Sequence, residues 1–248
     1  MRNKKNTTKK YDISFVSTVP GLEKIEDCLP KPVSKYIPDW WKEMPTMQNA
    51  IDLDSFHKAG GPMHGNAKIC PSFADYFSKG YIMPMWTDTI IYYDSKSDSY
   101  EWRTSDAQFI WSSHHKDQYL KNANHKFFGK ESYHVFKMEC PWRIVSEEKF
   151  LMYQLPTYFH FNDDYSVIPG VRDVSVYPVM NIQFLIHSDK KEIFIERGTP
   201  IAHFIPFRKE DISIDVRAAN ENDKKIIEKF QINSRTKFFS TYRKDKKQ

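Results

Sequence analysis

At 248 residues the chain is long enough to bury a substantial core, most simply as one large domain. Eighteen Phe, fourteen Tyr and six Trp stand against only eight Gly, a balance that excludes a disordered chain and a glycine-looped dinucleotide binder. The formal charge of +5 resides at the ends, because eleven basic residues and Asp245 fall within residues 1–10 and 235–248, leaving 26 basic against 31 acidic residues between them.

In chain order, residues 1–10 form a basic tail, and residues 11–19 alternate well enough for a first strand, ended by Pro20-Gly21. Ser34 is a candidate cap for one helical turn, and Asp39-Trp40-Trp41-Lys42-Glu43 reads as a second turn, bounded by prolines. The paired tryptophans are expected to anchor packing, since burial of such rings is strongly favourable. Residues 46–69 read as a long loop carrying His57 and His64. Pro71 to Gly80 predicts a short helix with Phe73, Tyr76 and Phe77 on one face and Gly80 as its cap. Tyr81 to Tyr93 reads as one long strand interrupted by Pro84, followed by a turn at 94–99 and a returning strand at 100–104.

From Val135 the strand signals are dense: 135–138, 142–145, 150–155, 167–170, 179–187, 193–196, 201–207 and 212–216. Ile193 to Phe207 reads as strand, Gly198-Thr199-Pro200 turn, strand, apolar on both faces and so expected to be packed from both sides. An amphipathic helix follows over about 221–243, capped by Asn220 or Asn222, and 244–248 form a second basic tail. The expected fold is α+β and mostly β. It is an antiparallel β-sandwich or β-clip-like barrel, in a single domain over 11–243. That domain divides into an N-terminal embellishment over about 11–130, a β core over about 131–218, and the terminal helix. The basic ends either keep the chain soluble or meet nucleic acid or an acidic partner.

Cys28, Cys70 and Cys140 are widely spaced, which points to a reducing compartment without a disulfide framework. No secretory leader and no apolar run of membrane-spanning length is present, so the expectation is a soluble, intracellular protein with no membrane partner. The common phosphate-loop, nucleophile-elbow and zincin motifs do not occur. His114, His115 and Asp117 with His160 or His203 offer the residue types of a metal triad, but their spacing adds nothing to that, and no metal ligand is assigned. Cys70 and Cys140 read as buried structural thiols, and Asp163-Asp164 as a solvated turn.

Gly170-Val-Arg-Asp173, the strand from Val179 and Gly198-Thr-Pro-Ile-Ala-His203 together resemble the β-clip domains of deoxyuridine triphosphatases and deoxycytidine triphosphate deaminases. The resemblance covers about 140–207. It implies Asp173 as a water-activating base and Arg172, Tyr177 and His203 as ligand contacts, with nucleotide as ligand and a homo-oligomeric assembly. Val176-Tyr177-Pro178 stands where those enzymes carry Tyr-Arg-Gly, and their glycine-rich C-terminal motif is absent.

Across the whole chain, Pro32 to Pro45, Lys68 to Ile82, Pro141-Trp142-Arg-Ile and Gly198 to Glu210 resemble, in their order, an uncharacterised protein family of large tailed phages of the T4-like cyanophage type. That implies a viral protein in the host cytoplasm or the virion, with other phage proteins or itself as partner. Three functions follow as expectations: a non-enzymatic structural or binding protein using its aromatic β domain, a nucleotide-binding or nucleotide-hydrolysing β-clip protein, or a metal-dependent enzyme built on the histidines.

Overall fold

The computed structural model describes residues 13–45, 67–97, 99–106, 108–109, 111–114, 134–187, 190–208, 213–229 and 231. The chain divides into two compact units, Asp12–Lys209 and a second made of Met1–Tyr11 with Glu210–Gln248.

The larger unit is mainly β and sandwich-like, with three antiparallel sheets. Its strands are β1 (Ser14–Ser17), β2 (Lys31–Pro32), β3 (Tyr81–Pro84), β4 (Thr89–Asp94), β5 (Ser99–Thr104), β6 (Trp111–His114), β7 (His134–Val145), β8 (Leu151–Pro156), β9 (Tyr165–Val167), β10 (Gly170–Asp173), β11 (Val179–Ile186), β12 (Glu192–Ile195) and β13 (Pro200–Phe207). The first sheet runs β1-β7-β11-β9, with β6 also on β7; the second runs β10-β8-β13-β3-β2; the third is β12-β4-β5. Among the described residues, two short helices, α1 (Asp39–Glu43) and α2 (Pro71–Tyr76), accompany them. Among the described residues no helix is long and apolar enough to cross a membrane.

The core follows from period-two patterning. On β7, Phe136, Met138, Cys140, Trp142 and Ile144 alternate onto one face and are buried, as are Met180, Ile182, Phe184 and Ile186 on β11. They share one cluster with Met152, Ala202 and Phe204 of the second sheet and Ile91, Ile193 and Ile195 of the third. Each large side chain in this cluster contributes roughly 1.5–3 kcal/mol relative to exposure.

Two expected strands of β7 are one, despite Pro141. β6 pairs with its first half and β1 with its last, so the missing proline N–H falls between two partners. Conversely, the single strand expected over 81–93 is two strands in different sheets, broken after Pro84. The expected pair over 193–207 is also corrected: β12 and β13 do not pair with each other. β12 joins β4 in the third sheet, while β13 lies between β8 and β3 in the second. Residues 213–216 are not a strand, and Ile214 and Val216 are exposed. Ser34 lies inside a 3₁₀ turn (Val33–Lys35) entered from Pro32 rather than capping it.

A second, smaller cluster covers part of the outer face of the second sheet. Val33, Trp41, Phe77 and Ile82 are buried there, with Phe73, Tyr76 and Phe159 packed against them. Phe73, Tyr76 and Phe77 do share the face expected of them, but Gly80 lies beyond the helix end, at φ 83° in the turn that enters β3. A Cβ there would meet the Phe204 carbonyl oxygen at 2.2 Å and His203 Nε2 at 3.0 Å.

Among its described residues the smaller unit carries a helix, α3, over residues 221–229. Asn220 caps it: its Oδ1 accepts from the Asp223 N–H at 3.0 Å, and Asp223 Oδ2 accepts from the Asn220 N–H at 2.8 Å. Ile226 and Ile227 are exposed within it.

Gly80→Ala combines a left-handed backbone with a collision against a strand carbonyl. It is expected to destabilise the protein by about 3 kcal/mol or more, read as a lowered urea midpoint at unchanged slope.

Candidate functional site

Arg172, Asp173 and Tyr177 lie together on β10 and the turn into β11, while His203 stands apart on β13. Asp173 pairs opposite Leu151 and His203 opposite Leu155 on the intervening β8, a separation of about 13 Å along the strand alone.

Each of the four is engaged locally. Asp173 Oδ1 accepts from the Ser175 N–H at 3.1 Å and from the Ser175 hydroxyl, and the Asp173 carbonyl accepts from the Tyr177 N–H at 2.9 Å. This is an aspartate organising its own turn. Arg172 lies on the core-facing side of β10. Its guanidinium donates to the Val179 carbonyl at 3.3 Å and to the Asn181 carbonyl, both at the register shift of β11. Burial holds its pKa below the usual guanidinium value. Arg172 thus fastens the second sheet to the first. Tyr177 is exposed, and its hydroxyl lies 3.4 Å from Asn181 Nδ2.

His203 is fully buried beneath the small aromatic cluster. Its Nε2 lies 2.7 Å from the Lys79 carbonyl, and the edge of Tyr76 meets its ring at 4.9 Å. A carbonyl accepts only from a protonated nitrogen, so Nε2 carries the proton and the buried Nδ1 a bare lone pair. Burial lowers the His203 pKa, opposed in part by the Lys79 carbonyl. His160 is likewise lowered by burial, opposed by the Tyr36 backbone.

Among the described residues no three of His, Cys, Asp or Glu converge on a metal-sized site. His115 and Asp117, together with His57 and His64, lie outside the described residues. Cys140 is wholly buried, its thiol pushed up to about 12 by desolvation, and Cys28 is raised for the same reason. Cys70 is half-buried at the entry to α2. Asp164 pairs with Lys190 at 2.9 Å, within the polar turn expected there.

A surface that the sequence patterns did not single out lies beside the small cluster. Trp41 fills that cluster as expected, against Phe77 at 4.9 Å and Phe159 at 5.4 Å. Its neighbour Trp40 does not. It is 39 % exposed and lies 5.3 Å from the ring of Phe161, with the planes 33° apart. Tyr158 follows 6.4 Å from Phe161, and these two rings are 67 % and 63 % exposed. Phe159, between them, points inward against Trp41, Phe73 and Phe77. Three exposed rings therefore form a continuous shelf on a rigid aromatic base. Trp40 Nε1 pins the shelf by donating to the Phe159 carbonyl at 3.1 Å.

Phe161 adopts φ 41°, the only described non-glycine residue with positive φ. A bulky side chain in that region costs about 1–2 kcal/mol, and such strain collects where side-chain position matters to function. Nothing in the run Tyr158-Phe-His-Phe161 announces this, since a strand, a turn and a strained loop all tolerate it.

The other flank of residues 33–43 borders an open cleft of about 380 Å³, lined by Glu26, Asp27, Lys31, Lys35, Tyr36 and Gly198 among others. Two acids and two lysines leave it without net charge, and Glu26 pairs with Lys31. The Tyr36 hydroxyl is pushed up to about 12, chiefly by burial.

Two outcomes follow from these contacts. Lowered histidine pKa values mean that the unfolded chain takes up protons first as pH falls. Stability contributed by keeping His203 and His160 neutral is therefore present above about pH 6.5 and lost as pH falls from there through the lowered folded values. The urea midpoint is expected to drop between about pH 7.5 and 5.5, and His203→Gln, which keeps a donor for the Lys79 carbonyl, is expected to shrink that drop. Arg172→Met removes charged donors from two strand carbonyls and is expected to cost about 2–3 kcal/mol, measured by the same unfolding assay at pH 7.5.

Compared with known protein-family models, with curated proteins and with solved structures, the chain matches none.

Proposed function

We propose that this chain is a non-enzymatic binding protein whose contact surface is the shelf of Trp40, Tyr158 and Phe161, acting in the phage setting that its motif order resembles. The observation that carries the proposal is the shelf itself: three adjacent rings held in water by a buried aromatic base, one of them on a strained backbone. Aromatic side chains exposed in this way forgo the gain of burial, and they are the residues that concentrate at the centres of contact surfaces. The polar candidates for catalysis support the same reading from the other side. Asp173 is engaged in its own turn, Arg172 with strand carbonyls, and His203 with the Lys79 carbonyl. Those bonds give each of them work in the fold.

Phe161→Gly separates binding from stability, because it removes one ring and relieves the positive φ. Its melting temperature is expected to equal or exceed that of the wild type. The test immobilises wild type, Phe161→Gly and Trp40→Ala and offers deoxynucleoside triphosphates, single-stranded DNA, neutral oligosaccharides and peptides of defined charge. A ligand held by the wild type and weakened at least about tenfold by both variants supports the proposal. Ligands held equally by all three proteins overturn it, as does hydrolysis of deoxyuridine triphosphate that is lost in Asp173→Asn.

A further inference from the structure

The groups flanking the shelf point to the chemistry of its partner, an inference that rests on the binding role proposed above. We propose that the shelf docks a cationic peptide segment, with an arginine or lysine side chain lying over the exposed surface of the Trp40–Phe161 pair. The indole N–H of Trp40 is already spent on the Phe159 carbonyl, so that ring offers a partner its π face and no donor. Aromatic faces carry negative potential and attract cations, guanidinium groups above all.

The acids nearest the rings in sequence have the matching sign, and two of the three are paired with lysines. Residues 157–164, which carry Tyr158 and Phe161, include Asp163 and Asp164 and neither Lys nor Arg. Asp39 directly precedes Trp40. Asp39 is matched by Lys42 at 2.8 Å and Asp164 by Lys190, while Asp163 stands exposed beside Phe161 in sequence. His160 adds no positive charge at neutral pH, because burial holds its pKa low. On the larger scale, the unit that carries the shelf, residues 12–209, holds 25 acidic against 22 basic residues. Such a field attracts a basic segment and repels the phosphates of a nucleic acid. A polyanion stacking its bases on these rings would need cations along its track; residues 157–164 supply none, and Lys42 on the Trp40 side is paired with Asp39.

The test uses the full chain and fluorescence anisotropy with four labelled probes of equal length: an alternating Arg/Ser peptide, a Glu/Ser peptide, a Gly/Ser peptide and oligo-dT. The Arg/Ser peptide is expected to bind. Phe161→Gly and Trp40→Ala should each weaken it about tenfold, Asp163→Asn about threefold, and salt raised from about 50 to 300 mM several-fold. Glu147→Gln, an exposed acid just before β8 and so at the end of that strand away from Tyr158, should leave it unchanged and so separates docking from general attraction. The proposal is overturned if the Arg/Ser peptide fails to bind, if it binds the ring variants as tightly as wild type, or if Glu147→Gln weakens it as much as Asp163→Asn. Oligo-dT or the Gly/Ser peptide binding through the same rings overturns the cationic class and leaves the binding role standing. Loss of every shelf-dependent ligand in the wider panel removes both.

Discussion

The second and third sheets are joined by one pair of hydrogen bonds where two segments change sheets side by side. The Gly198 N–H donates to the Met85 carbonyl at 2.7 Å, and the Met85 N–H donates to the Thr199 carbonyl at 2.8 Å. On one side of this junction β3 and β13 pair in the second sheet; on the other, β4 and β12 pair in the third. Met85 is wholly buried there, and Gly198 turns at φ 88°, with Asp27 Cβ 3.4 Å from where a Cβ would stand. A backbone bent this sharply inside a core must satisfy its polar groups locally, and the two bends do so by bonding to each other.

The second sheet is covered on both faces where β3 and β13 pair. Its inner face packs into the three-sheet core through Met83, Met152, Ala202 and Phe204. Its outer face needs a separate cover over the half that carries His203 and Ile82, and the short helices supply it. Trp41, Phe73, Phe77 and Phe159 fill that cover so completely that Trp40, Tyr158 and Phe161 are left on its outside. The shelf thus stands on a rigid base. Its exposure is enforced by neighbours that cannot be displaced without opening the cluster.

Short-range rules account for several elements by themselves. Asp39 to Glu43 forms a helix as expected, Ser99 to Thr104 returns along β4, and Asn220 caps the terminal helix through the reciprocal bonds of a capping box. The mainly-β class followed from strand density alone. Among the candidate site residues, the grouping of Arg172, Asp173 and Tyr177 was inevitable from their closeness in the chain. Their distance from His203 was not legible, because it depends on which residue of β8 each faces. Trp40 and Trp41 make the same point within two residues: composition marked both for packing, and only the direction of each side chain distinguishes the core ring from the exposed one.

What the sequence determined by itself is therefore the local alphabet of the fold: alternating apolar residues for strands, prolines and glycines for breaks, and an acidic body between basic ends. Tertiary structure decided which strands meet. Apolar alternation states that a strand has a buried face but carries no address for its partner, so β12 and β13 separate into different sheets although only a tight turn lies between them. It also decided where Phe161 sits, because a positive φ on a bulky residue is imposed by the packing on either side of it.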